Sequence, residues 1–215
     1  PLWQTGLAAA ILGIGCLAVS TAAIWRISYR VGFNRPARLV AVAVFLFNPT
    51  MLYLSTTAMT EPVLMASWLM ALAGLVGWIT AMPAISPGAL TVFAGIPTTV
   101  AVMSRYEGWA FMVCATVFII VASWRRWRSF KYSVILLLAY LAVPVASIAW
   151  WLAYNYVRYG NALEFAFGPY SAGADAKLRD SLGVLPQKGN LGLSVAIYDT
   201  GAINIIGWPL LILAV

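Results

Sequence analysis

Apolar positions come in long blocks rather than in the short periods of an amphipathic helix or a half-buried strand. The blocks occupy 7–25, 39–55, 63–82, 90–103, 109–124, 134–154 and 191–215, with short polar connections between most of them. A membrane-crossing helix needs about 20 apolar residues, with a range of roughly 17–25. Lipid offers backbone groups no hydrogen-bond partner, so such blocks read as helices. The pattern predicts an all-α, polytopic transmembrane bundle of about seven spans, forming part of one domain. The blocks at 90–103 and 109–124 are short, and length alone leaves open whether they are two spans or one long bent one.

Charge decides between those readings. Arg26, Arg30, Arg35 and Arg38 flank the first connection, and Arg125, Arg126, Arg128 and Lys131 fill WRRWRSFK. Short loops rich in Lys and Arg stay cytoplasmic. Both clusters fall on one side only if 90–103 and 109–124 are separate spans. That side then carries eight bases and no acid. The other carries Arg105, Arg158, Lys177, Arg179 and Lys188 against all six acids, Glu61, Glu107, Glu164, Asp175, Asp180 and Asp199. The net charge of +7 therefore reports topology and contact with anionic lipid, and gives no reason to expect nucleic acid.

The chain is 63% hydrophobic and 9% charged. Soluble domains are roughly 45–50% apolar and about 25% charged, which excludes a water-soluble domain. It begins at Pro1 and ends inside IIGWPLLILAV, so it is expected to be part of a longer protein. The first block has no charged n-region and no cleavage site, and is read as a span rather than a signal peptide. Cys16 and Cys114 fall inside spans as small hydrophobes. There is no His, the commonest metal ligand and general base. The one long polar segment, 156–190, is placed outside as an extracytoplasmic loop.

Three outward places hold candidate chemistry. In STTAMTEP, Thr60 is positioned as an N-cap, with Glu61 and Pro62 in the first helical turn. A carboxylate at that point also suits a sugar hydroxyl or a metal. In SRYEGW, Ser104 and Glu107 fit a capping box, while Arg105 is not required by any cap. Arg105 lies between two short spans, where ionisable groups are expensive and usually face a partner or cavity. Its planar fork suits a phosphate; the alternative is snorkelling to lipid headgroups. Glu107 is discounted as its partner, because residues two apart on a helix do not face each other. In the third place, 155–174, Trp150, Trp151, Tyr154, Tyr156 and Tyr159 form an interfacial aromatic band near Arg158. Gly160-Asn161 marks a turn, and Glu164, Tyr170 and Ser171 then offer rings, hydroxyls and a carboxylate suited to a sugar.

The alternation of spans with outward MTEP, SRYEGW and YGNALEFAFGPYSA resembles the GT-C glycosyltransferases. Bacterial relatives of protein O-mannosyltransferase and of the lipid A aminoarabinose transferase are the nearest in pattern. The resemblance implies a multi-span enzyme of the bacterial plasma membrane with its site on the extracytoplasmic face. It implies a polyprenyl-phosphate sugar donor, an inverted anomeric centre, and a glycan, lipid or protein acceptor. The family's catalytic Asp, or Asp-Glu pair, lies in the first outward loop. Nothing in this sequence matches that loop, so the main base is expected upstream of Pro1.

Elementary chemistry agrees with that implication. Breaking the donor's C1–O bond leaves charge on a lipid phosphate, where Arg105 and Arg158 supply electrostatic help. Glu61 or Glu107 could take the acceptor's proton. No cofactor is certain, no metal set is named, and the residues are compatible with a divalent metal. Two other functions fit the pattern. A secondary transporter or lipid-linked-sugar flippase would use a broken helix such as Gly95-Ile96-Pro97. A non-catalytic membrane subunit or assembly factor would be favoured by a full-length protein with no acid in its first outward loop.

Overall fold

A computed structural model of the chain describes residues 4–81 and 86–206. Every regular element among them is helical: α1 (Leu7–Arg30), α2 (Arg35–Leu46), α3 (Pro49–Thr56), α4 (Glu61–Thr80), α5 (Pro87–Leu90), a π-helical turn (Thr91–Gly95), α6 (Ile96–Ser104), α7 (Glu107–Trp127), α8 (Phe130–Tyr159), α9 (Glu164–Phe167), α10 (Ala172–Ser181) and α11 (Leu191–Ile206). The chain divides into two compact units, Pro1–Ile148 and Ala149–Val215.

Among the described residues five helices are long and apolar enough to cross a membrane: Leu7–Arg30, Glu61–Thr80, Pro87–Ser104, Glu107–Trp127 and Phe130–Tyr159. Large apolar side chains such as Ile11, Val113 and Leu138 are exposed on them. Rows of that kind are stable where lipid covers them. The protein is an integral membrane protein.

The expected span 39–55 is interrupted. α2 and α3 meet at 54°, so they make a sixth span only as a bent pair. The cause is local. Pro49 cannot donate back along the helix, and the Asn48 side chain accepts from Thr50 N at 2.9 Å and Met51 N at 3.2 Å, capping a new helix. The expected span 191–215 is described only as α11, whose 16 residues end at Ile206. Its remainder lies outside the described residues. Asp199, placed above on the acidic side, sits within α11 and is exposed.

The blocks 90–103 and 109–124 are separate helices, as charge required. The 90–103 block extends back to Pro87 and remains one span. Pro97 removes the donor that would bond back to Phe93, and the ladder widens into the π-helical turn just before it. The Gly95-Ile96-Pro97 feature is thus a bulge within a continuous helix. Thr91 Oγ1 donates to Ala139 O at 2.7 Å, and Thr98 pairs with Tyr140 OH at 3.1 Å, tying this span to α8.

In the first unit α4 packs against α1, the π-helical turn, α6 and α7. Small residues permit the close approach that membrane helices need in the absence of a hydrophobic drive. A Cβ on Gly74 would lie 2.0 Å from Phe93 O, one on Gly13 2.1 Å from Ser55 O, and one on Gly108 2.3 Å from Ala101 O. A core of Leu75, Trp78, Leu90, Ile119, Leu136 and Tyr140 fills the C-terminal half of α4.

Arg126 fixes how the helix ends align. Its Nη1 donates to Ile79 O at 2.9 Å and Trp78 O at 3.2 Å, and its Nη2 to Ala81 O at 2.6 Å. These are the carbonyls that the C-terminus of α4 leaves unpaired. The C-terminal ends of α4 and α7 therefore meet. Arg26, Arg30 and Arg38 line a groove with Trp78 at the same end. Both basic connections thus sit at one end of this unit.

In the second unit α8 runs on to Tyr159, beyond the expected 154, and Gly160 ends it at φ 74. The Asn161 side chain then accepts from Leu163 N at 3.0 Å, forming the expected turn. The segment 156–190 contains α9 and α10, and four of its charges pair locally: Arg179 with Asp175 at 2.8 Å, and Lys188 with Asp180.

Candidate functional site

At the end of the first unit opposite the basic connections, α4 and α7 both begin with a glutamate, Glu61 and Glu107. Each carboxylate sits in the first turn, where the positive end of a helix dipole favours it. Between them stands Arg105. The span 87–104 ends at Ser104, and Arg105 is extended, with φ −157 and ψ 156. The chain is therefore not helical between Arg105 and Glu107, and the premise that kept those residues apart fails.

The guanidinium bridges both acids. Nη1 lies 2.7 Å from Glu61 Oε1 and 3.4 Å from Thr60 Oγ1. Nη2 lies 3.1 Å from Glu107 Oε1, and Nε is 3.3 Å from each Glu107 oxygen. This corrects the sequence argument: Glu107 is a partner of Arg105, and the guanidinium meets both carboxylates. Hydrogen bonding to Glu107 first, then the charges of Glu107 and Glu61, outweigh a partial desolvation and push the guanidinium pKa up. The Arg105 and Glu61 side chains are each 34% exposed and Glu107 is 52% exposed, so the cluster is partly open to solvent.

The caps differ from expectation as well. Thr60 holds the N-cap position of α4, yet its side chain makes no cap hydrogen bond. Ser104 belongs to the preceding helix and donates to Ala101 O at 2.9 Å, while Tyr106 holds the N-cap position of α7. The Ser104–Glu107 capping box does not form, because a helix end and a turn intervene. Glu107 is committed to Arg105 instead. The hairpin is closed by Gly108 against Ala101 and by Trp109 Nε1, which donates to Val102 O at 3.1 Å.

The other expected site residues belong to the second unit. Arg158 is exposed near the end of α8. Glu164 opens α9 and accepts from Asn161 Nδ2 at 3.4 Å. Tyr170 is fully exposed. Ser171 is buried and caps α10, accepting from Ala174 N at 3.2 Å, so its oxygen has a structural task. Trp150 and Trp151 both stack on Tyr154, at 5.8 and 5.7 Å, which orders the aromatic band.

Among the described residues no group of three or more His, Cys, Asp or Glu could hold a metal. A cation at Glu61 and Glu107 would have to compete with Arg105. The sequence reading missed Thr60 as a neighbour of Arg105 and Arg126 as the C-terminal cap of α4. Neither has a local signal, since both depend on which helix ends meet. Comparisons with protein families, curated proteins and solved structures give no match.

Proposed function

We propose that this protein transfers a sugar from a polyprenyl-phosphate carrier to a glycan, lipid or protein acceptor, with inversion, at the extracytoplasmic face of a bacterial plasma membrane. The observation that supports this reading is the Glu61–Arg105–Glu107 cluster. It places two carboxylates and a guanidinium at the ends of membrane-spanning helices, at the end opposite the basic connections. In the reaction the C1–O bond to phosphate breaks, the acceptor oxygen bonds C1, and its proton passes to a carboxylate. Glu61, held by one Arg105 nitrogen, is the candidate base in this part of the chain. Arg105 faces the charge developing on the leaving phosphate. Arg158 is a candidate second phosphate contact, and Glu164 and Tyr170 carry residue types that hold a sugar. Ser171, already a cap, is the weakest of these assignments.

The test is transfer of labelled sugar from a purified polyprenyl-phosphate donor by the protein in proteoliposomes. Arg105→Ala should lower turnover by roughly 10²–10³, the scale for losing one preorganised donor. Arg105→Lys should recover only part of it, because an ammonium cannot bridge in the same bidentate way. Wild-type turnover in Arg105→Ala would refute the role. The break between α2 and α3 favours a second reading, a secondary transporter, since such proteins use discontinuous helices. Solute counterflow without any sugar transfer would select it.

A further inference from the structure

A groove of about 670 Å³ opens between α1, α4 and the π-helical turn, at the basic end of the first unit. Such a volume is in the range of small-molecule sites, roughly 300–1,000 Å³. Its floor is made of small and apolar residues, among them Ala73, Gly74, Gly77 and Phe93. Its lining carries Arg26, Arg30 and Arg38 and no acid. All six acids of the chain are elsewhere, and none of the ion pairs among the described residues involves these three arginines. Arg38 is held in place by the rings of Trp25 and Tyr29, at 4.7 and 5.1 Å.

Trp78 borders the groove at 1% exposure, and its ring packs on Phe118 and Trp127 of α7, so it forms an inner wall. Close by, Gly77 leaves space: a Cβ there would meet nothing within 4 Å.

We propose that this groove binds one anionic phospholipid, with an acyl chain between α1 and α4 and the headgroup phosphate on Arg26, Arg30 and Arg38. The charge favours this occupant over a neutral lipid, since three unneutralised guanidiniums at a membrane surface attract anionic headgroups. The apolar floor favours a chain-bearing anion over free phosphate. The site is independent of the proposed transfer reaction. α4 runs from Glu61 to Trp78 between the two places, a rise of roughly 25 Å at 1.5 Å per residue.

The experiment is native mass spectrometry of the purified chain, released from detergent with phosphatidylglycerol, phosphatidylcholine, a polyprenyl phosphate or inorganic phosphate. One phosphatidylglycerol should be retained, at least tenfold over phosphatidylcholine. Gly77→Leu fills the groove and should abolish retention. The triple variant Arg26→Gln, Arg30→Gln, Arg38→Gln should remove the preference for phosphatidylglycerol. Helical content measured by circular dichroism checks that each variant folds, and either folded variant is sufficient. Equal retention of both phospholipids, unchanged retention in a folded variant, preferred retention of the polyprenyl phosphate, or full displacement by equimolar inorganic phosphate would each overturn the proposal.

Discussion

Arg125, Arg126 and Arg128 contribute alike to the charge of their connection, but only Arg126 reaches across to α4. It donates to three carbonyls of residues 78, 79 and 81, at 3.2, 2.9 and 2.6 Å, and its guanidinium lies 4.8 Å from the Trp127 ring. Removing the side chain deprives the C-terminus of α4 of its cap. A hydrogen bond to a charged group contributes about 1.5–3 kcal/mol net. The three are not additive, because they share one charge and because carbonyls at a helix end recover water when released. The ring contact adds about 0.5–1 kcal/mol where it is exposed. Arg126→Ala should therefore destabilise the protein by about 2–4 kcal/mol, the sum of one full charged bond and the ring contact.

Equilibrium unfolding of the purified protein in mixed micelles, titrated with sodium dodecyl sulfate and followed by circular dichroism, measures this directly. Arg125→Ala and Arg128→Ala are the controls, since each deletes the same charge and neither side chain contacts a carbonyl among the described residues. They should stay within about 0.5 kcal/mol of wild type, the usual range for surface changes. Arg126→Lys keeps the charge but cannot fork to three carbonyls, and should fall between. If the three alanine variants unfold together, Arg126 is only a topological charge and the alignment of α4 with α7 has another cause.

Two other expectations follow from packing and from charge. Gly74→Ala should cost about 1–3 kcal/mol, because its Cβ would lie 2.0 Å from a backbone oxygen that cannot yield, while Gly77→Ala, one turn on and with open space, should be neutral or slightly stabilising in the same titration. In a chain lacking Cys16 and Cys114, single cysteines at Ser129 and Ser181 should label oppositely with a membrane-impermeant thiol reagent in intact cells, position 181 reacting and 129 protected; equal labelling would remove the assignment of sides.

Composition and block length were enough to read the helical class and most spans, because lipid leaves so few backbone alternatives. Charge separated 87–104 from 107–127, and Gly160-Asn161 marked the end of α8. The break at Asn48-Pro49 had a signal in that dipeptide, but a long apolar block masked it. The π-helical turn was half visible: Pro97 marks the place, and only packing against Tyr140 and Ala139 decides between a break and a bulge. Arg126 could not be told from its neighbours, since identity of charge says nothing about which way a helix face points. For Arg105 the expectation of an anionic partner held, and the partners' identity includes Glu107, which had been discounted. It turned on one backbone torsion pair, which the sequence SRYEGW does not reveal.

That identity changes what a phosphate must do at Arg105. A guanidinium has five N–H donors. At least three are engaged by Glu61 and Glu107, and the cluster carries two negative charges against one positive. An approaching phosphate meets repulsion from the carboxylates as well as attraction from Arg105. It gains most if Glu61, the acid held by a single nitrogen, moves off as it binds. The carboxylate so released is then a free base beside the acceptor. Neutralising either acid should consequently tighten binding of an unreactive polyprenyl phosphate. Unit charges about 4 Å apart interact by roughly 4 kcal/mol at an effective dielectric of 20, and the exposure of the cluster, 34% at Glu61 and 52% at Glu107, reduces this, so about tenfold is expected. Glu61→Gln should tighten the phosphate about tenfold and abolish most turnover. Glu107→Gln should tighten it by a similar factor and keep more activity, since it leaves the candidate base intact. Arg105→Ala should weaken it. Competition against labelled donor in proteoliposomes gives all three affinities. If both Gln variants bind the phosphate as wild type does, the phosphate does not meet this cluster, and Arg105 serves to hold the ends of α4 and α7 together.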